Sequence, residues 1–87
     1  MKYDLIEAQI REYVQREFNV PEDDPDFSNE VNLFDYGYID SFGAVSLTTF
    51  LESTFQIAIT ERDLGAYPLT SIKEFAMFIG RRLEGAL

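Results

Sequence analysis

The sequence predicts an all-α fold, a small bundle of three main helices and one short helix with a long first loop. Apolar residues recur at three- and four-residue steps in three separate stretches, the period of a helix. Pro, Asp and Asn gather between the first two of those stretches. Once these are assigned, no convincing strand signal is left over.

The first helix is expected over about residues 4–18, from the spacing of Leu5, Ile6, Ile10, Tyr13, Val14 and Phe18. Pro21 and Pro25 are expected to end it, because neither can donate to a helical ladder. Residues 19–40 then form the long connection. Loops of that length in a compact domain are usually functional or pinned by their own side chains, here Phe27, Val31, Leu33 and Phe34.

The second helix is expected over residues 41–55, with Asp40 as its N-cap. A carboxylate there accepts from backbone N–H groups two and three residues on, and its charge suits the positive helix end. Ile57, Ile59 and Thr60 break the pattern. Thr60, Glu61, Arg62 and Asp63 suggest a short helix over about 61–65, ending at Gly65 or Pro68. Ser71-x-x-Glu74 matches a capping box and opens the last helix, 71–83, with Ile72, Phe75, Ala76, Ile79 and Leu83 on one side. Arg81 and Arg82 sit in its last turn, where cations suit the dipole.

At 87 residues the chain is expected to be one domain, 1–87, and its 46% hydrophobic content supports a core without staples. It has no Cys and no His, which removes disulfides, thiolate metal sites, the thiol nucleophile and the commonest general base. A non-enzyme is therefore expected. Asp35 and Asp40 could form a pair of acid/base carboxylates, but no electrophile-stabilising constellation accompanies them.

Seven basic and sixteen acidic residues give a net charge of −9. Such a surface repels phosphate backbones and anionic lipid, so neither nucleic acid nor membrane is an expected partner. It suits basic patches on other proteins, and serves solubility equally well. Charges interrupt Met1 to Glu7 early, and no stretch is long enough to span a bilayer, so a cytoplasmic protein is the expectation, with a monomer as the default state. Asp24, Asp26 and Ser28 alternate as calcium ligands do, yet Asn29 stands where Gly is needed and Asp35 where Glu is wanted. No metal site is expected.

In the second helix, Ala44, Leu47, Phe50, Leu51 and Phe55 form one apolar stripe directed at the core. Phe42, Val45 and Thr49 form another on the opposite side. That second stripe is either a docking surface or is covered by the long loop or the short helix. Ser41 occupies the first helical position, where unsatisfied N–H groups and the macrodipole favour a phosphate. Alone, a Ser after an Asp at a helix start is more often a plain capping element.

Its surroundings add to that. Leu33-Phe34-Asp35-Tyr36-Gly37-Tyr38-Ile39-Asp40-Ser41-Phe42 resembles the L-F-x-x-G-x-[IL]-D-S-[LMF] signature of the acyl and peptidyl carrier proteins, the phosphopantetheine-binding family. Val45-x-Leu47, Leu51-Glu52-x-x-Phe55-x-Ile57-x-Ile59 and Thr70-Ser71 continue the likeness over nearly the whole chain. Within the family, D-S-[MF]-G-x-V looks most like stand-alone D-alanyl carrier proteins and related single-substrate carriers.

The resemblance implies that Ser41 receives 4′-phosphopantetheine from coenzyme A through a separate Mg²⁺-dependent phosphopantetheinyl transferase. The arm's thiol would hold an acyl or aminoacyl group as a thioester, received from a loading ligase and passed to downstream acyl-accepting enzymes. A chain without Cys must borrow its thiol. Asp40 would cap the helix and help orient Ser41 or the transferase metal, and Gly37 would supply a turn with positive φ. Phe42, Val45, Thr49 and Glu52 would meet partners. The alternative is a helical protein–protein interaction module that is never modified.

Two departures from the fatty-acid carriers matter. Gly43 and Ser46 stand where acidic residues are expected, leaving Glu52 further along. Phe50 replaces a smaller residue and would narrow any acyl-sheltering cavity, so a short or aminoacyl cargo held largely outside the bundle is expected.

Overall fold

The computed structural model describes residues 2–85; residues 1, 86 and 87, the ends of the expected single domain, lie outside that range. Four helices follow in order: α1 (Tyr3–Glu17), α2 (Ser41–Phe55), α3 (Glu61–Ala66) and α4 (Ile72–Leu83). No strand forms among the described residues, so the expected all-α bundle is the fold.

The core is built by one stripe from each long helix. Ile6, Ile10 and Val14 of α1, Leu47 and Leu51 of α2, and Ile72, Ala76 and Ile79 of α4 are fully enclosed. Burying each aliphatic side chain of Leu or Ile size contributes about 1.5–3 kcal/mol relative to leaving it in water. Helices α1 and α4 pack directly on each other, and the Tyr3 ring lies over Gly80, where a Cβ would collide with it. From the long loop, Phe27 and Leu33 enter the core, while Val31 and Phe34 pack against it half-buried.

Several local expectations change. The first helix ends at Glu17, and Asn19 adopts a left-handed conformation with φ 55°. Asn tolerates that region because its short polar side chain bonds locally, so Asn19 turns the chain before Pro21 is reached. Leu5 and Leu83, read as part of the apolar stripes, are 55% and 41% exposed. Leu5 points about 100° away from its buried neighbour Ile6, off the enclosed stripe, and Leu83 is the last residue of α4.

The short helix has its own capping box: Thr60 Oγ1 accepts from Asp63 N–H at 3.1 Å, and Asp63 Oδ2 accepts from Thr60 N–H at 2.9 Å. Asp63 also pairs with Arg82 at 2.9 Å, tying α3 to α4. The Thr60 backbone hydrogen bond, with help from Arg82, holds its carboxyl below the ordinary Asp value. At the start of α4, Ser71 and Glu74 form the box expected of them.

Candidate functional site

The segment preceding α2 folds on itself and delivers Asp40 and Ser41 at a defined place. The Asn32 side-chain oxygen accepts from Phe34 N–H at 3.0 Å and Asp35 N–H at 2.9 Å, an Asx-type turn. Gly37 has φ 76°, a region costly to residues with a Cβ. The Leu33 carbonyl then accepts from both Tyr38 and Ile39 N–H, at 2.9 and 3.1 Å. Leu33 N–H in turn donates to the Thr70 carbonyl at 2.8 Å, so the loop is fastened to the start of α4.

Tyr38 fastens the same loop to an earlier part of itself. Its hydroxyl donates to Asp24 Oδ2 at 3.1 Å, and its ring meets Phe27 edge-on at 5.1 Å. Desolvation, followed by the Asp24 carboxylate, pushes the hydroxyl pKa above the usual tyrosine value. The carboxylate spacing that hints at calcium therefore serves loop folding: Asp24 Oδ1 accepts from Asp26 N–H at 2.9 Å. The Asn29 amide bridges Arg11 and Glu7 of α1 at 2.8 and 3.2 Å. Among the described residues no group of three or more potential ligands could hold a metal ion, and no helix is long and apolar enough to cross a membrane.

At the helix start, Asp40 Oδ1 accepts from Gly43 N–H at 2.8 Å and the Asp40 carbonyl accepts from Ala44 N–H at 2.9 Å. The first two N–H groups, of Ser41 and Phe42, have no acceptor within the helix. Ser41 is exposed beside them, and among the described residues none hydrogen-bonds its hydroxyl. An exposed hydroxyl thus stands at the positive end of a fifteen-residue helix, next to donors suited to an anion.

Gly43 explains one of the sequence's departures. It is buried, and a Cβ there would lie 2.8 Å from both Ile39 Cγ2 and Phe18 Cε1. An acidic side chain has no room at this position. Ser46 is exposed and free of that restriction.

The outward stripe of α2 is uncovered. Phe42 is 85% and Val45 65% exposed, so neither the loop nor α3 lies over them. Thr49 continues the stripe, its hydroxyl donating to the Val45 carbonyl at 2.9 Å. Glu52 differs: it is half-buried, and Oε2 accepts from Ile59 N–H at 2.9 Å, bracing the turn that follows α2. One of its carboxylate oxygens is thereby committed to the fold.

Beneath the helix, Phe50 is half-buried and stacks on Tyr13 with ring centres 4.0 Å apart and planes at 16°. The Tyr13 hydroxyl donates to the Ser46 carbonyl at 3.2 Å, and Phe18 meets the Tyr13 ring edge-on. Burial, followed by Glu17, raises the Tyr13 pKa. Three aromatic rings thus close the α1–α2 seam under the serine-bearing helix.

Sequence reading missed Asn32 and did not foresee the structural roles of Gly43 and Asn29. Asn32 carried a usable signal, since Asn ahead of a turn folds its side chain onto the following N–H groups. Gly43 and Asn29 carried none, because Phe18, which crowds Gly43, and Arg11 and Glu7, which Asn29 bridges, lie far back in the sequence. A family model described as a phosphopantetheine attachment site matches residues 8–79, from the middle of α1 to near the end of α4, with Asp40 and Ser41 inside the match. A comparison with curated proteins returns no match.

Proposed function

This chain belongs to the phosphopantetheine-binding carrier family, and from that premise we propose that Ser41 bears its arm. The family's covalent group is 4′-phosphopantetheine, whose terminal thiol supplies the thioester chemistry that a chain without Cys lacks. The observation that carries the choice of residue is the exposed, unbonded Ser41 hydroxyl at the capped start of α2.

The protein's own residues have limited tasks. Ser41 Oγ offers the nucleophile that attacks the pantetheine-bearing phosphorus of coenzyme A; the pyrophosphate linkage breaks, adenosine 3′,5′-bisphosphate leaves, and a base on the transferase takes the serine proton. Asp40 keeps the first turn of α2 wound so that Oγ faces outward, and its remaining carboxylate oxygen is available to orient the transferase or its metal. The Ser41 and Phe42 N–H groups offset the charge of the phosphodiester. Phe42, Val45 and Thr49 form the contact surface for the transferase, for a ligase that loads an acyl or aminoacyl group, and for enzymes that accept it.

The cargo is short or aminoacyl and stays outside the bundle, as in the single-substrate carriers that the D-S-F-G-x-V segment resembles. The stacked Tyr13 and Phe50 rings support this, since a long chain entering the α1–α2 seam would have to part them. Unchanged Phe50 NMR signals on loading a long-chain acyl group agree with that reading; displaced ones overturn it.

Arm attachment is tested on the purified chain with coenzyme A, Mg²⁺ and a promiscuous phosphopantetheinyl transferase, followed by intact mass. The parent gains one phosphopantetheinyl group and Ser41→Ala gains none. An unmodified parent would leave the interaction module as the better description.

A further inference from the structure

A cleft away from Ser41 is unaccounted for by the carrier role. It lies between the segment that follows α3 and the outer side of α4, lined by Tyr67, Pro68, Leu69, Met77 and Phe78 with the charged Glu74 and Arg81, and has a volume of about 140 Å³. We propose that this cleft docks an acidic segment of a partner protein, which inserts one aromatic side chain and sets carboxylates against Lys73 and Arg81.

The size selects a single ring, because an apolar cavity of about 150 Å³ takes up one benzene. The walls suit an aromatic guest. Tyr67 and Phe78 meet at 5.3 Å with their planes tilted by 55°, and Leu69 and Phe78 are themselves buried. Met77, 39% exposed, offers a flexible, polarisable edge that adapts to the ring it meets.

Charge selects the company the ring keeps. Lys73 and Arg81 lie four residues either side of Met77, so all three share one helical stripe, and all three are exposed. Among the described residues neither cation forms an ion pair. Three other basic residues are engaged, Arg82 with Asp63 and the Ala58 carbonyl, Arg11 with Asn29 and Arg16 with Glu12, while Lys2 and Arg62 lie outside the lining of the cleft. On a chain of net charge −9, Arg81 in the lining and Lys73 one helical turn before Met77 set two cations beside an apolar cleft.

Glu74 also lines the cleft and keeps its charge, which leaves two cations against one carboxylate on this side of α4. Its Oε1 accepts from Thr70 N–H, Thr70 Oγ1 and Ser71 N–H, which draws the carboxylate to the helix start. None of Phe42, Val45 and Thr49 lines the cleft, so a partner held here leaves the Ser41 face uncovered.

The test uses the full chain, isotopically labelled, titrated with a synthetic peptide that carries one phenylalanine between flanking glutamates. Saturable shifts are expected at the Met77 methyl, the Tyr67 ring and the Leu69 amide. The double variant Lys73→Glu/Arg81→Glu should bind roughly tenfold more weakly, since both exposed cations are reversed, with an unchanged helical circular dichroism spectrum. Ser41→Ala should bind as the parent does, so this test and that of arm attachment fail independently. Shifts centred on Phe42 and Val45, equal binding by the double variant, or no saturation in the millimolar range overturn the proposal. So do shifts given by octanoate and not by the peptide, which would make the cleft a small-molecule site. Concentration-dependent shifts without peptide, the mark of a second copy in the cleft, overturn it too.

Discussion

The Leu33 N–H donates to the Thr70 carbonyl at 2.8 Å, joining the loop that leads to Ser41 to the residue just before the α4 cap. The same Leu33 accepts from Tyr38 and Ile39, so the start of α2 is braced against the start of α4 through one residue. Whatever loosens the α4 cap should therefore also loosen the approach to Ser41.

Acid does this through Glu74. Burial alone would raise its carboxyl, but hydrogen bonds from the Thr70 hydroxyl and N–H and from Ser71 outweigh burial and hold the pKa below the ordinary Glu value. A group depressed in the folded state adds stability above its unfolded pKa and loses it as pH falls through the folded one. Stability should thus decline from the ordinary Glu range downward. Urea midpoints measured across that range should fall less steeply in Glu74→Gln, and Leu33 amide exchange should quicken in parallel. Equal slopes for parent and variant would assign the acid sensitivity elsewhere, Asp63 being the next candidate because its carboxyl is also held low.

Asp40 can be divided into a cap and a charge. Asp40→Ala removes the acceptor of Gly43 N–H and should lower stability by about 1 kcal/mol. Asp40→Asn still caps but gives up the charge at the positive helix end, so it should lose only about 0.3–1 kcal/mol. If the carboxylate also orients the transferase or its metal, Asp40→Asn will slow arm addition while the chain stays folded. Equal rates for Asn and Asp would reduce the residue to a cap.

Gly43→Ala sets helix propensity against space. Ala is favoured over Gly in a helix by about 1 kcal/mol. Overpacking costs about 1–3 kcal/mol, and the new Cβ would press on Ile39 Cγ2 and Phe18 Cε1, both at 2.8 Å. The Phe18 ring is half-buried and can yield; Ile39 is 3% exposed and cannot. A net loss near 1 kcal/mol is expected from these opposing effects, partly recovered when Phe18→Leu is added. A stabilised Gly43→Ala would show that the helix shifts to make room.

These residues mark how far the sequence could be read. The all-α class, the Asp40 cap, and the Ser71 and Glu74 box were legible because each depends on neighbours within four positions. Ser41 stood out for the same reason, its frame being a local string. The Phe18 contact that crowds Gly43 and the bridge from Asn29 to Arg11 and Glu7 depend on segments far apart in the chain. No local pattern encodes them. Glu52 shows a related limit: its helical position suggested a surface charge, but its partner, Ile59 N–H, lies beyond the helix end.

Phe42 should separate folding from recognition. At 85% exposure its ring buries little on folding, so Phe42→Ala should change stability by no more than about 0.5 kcal/mol. If the ring enters a pocket on the transferase, KM for this protein should rise several-fold with kcat unchanged, as for contacts made equally in the ground and transition states. The size of that effect should be the same at low and high salt, because an apolar contact is not screened. Parent and variant should meanwhile both lose affinity as salt rises, if the surrounding acidity contributes to association with a basic partner. A fall in kcat alone would instead place Phe42 in the alignment of Ser41. A variant effect that fades with salt would mean that the ring acts by positioning charged neighbours, with no pocket of its own to fill.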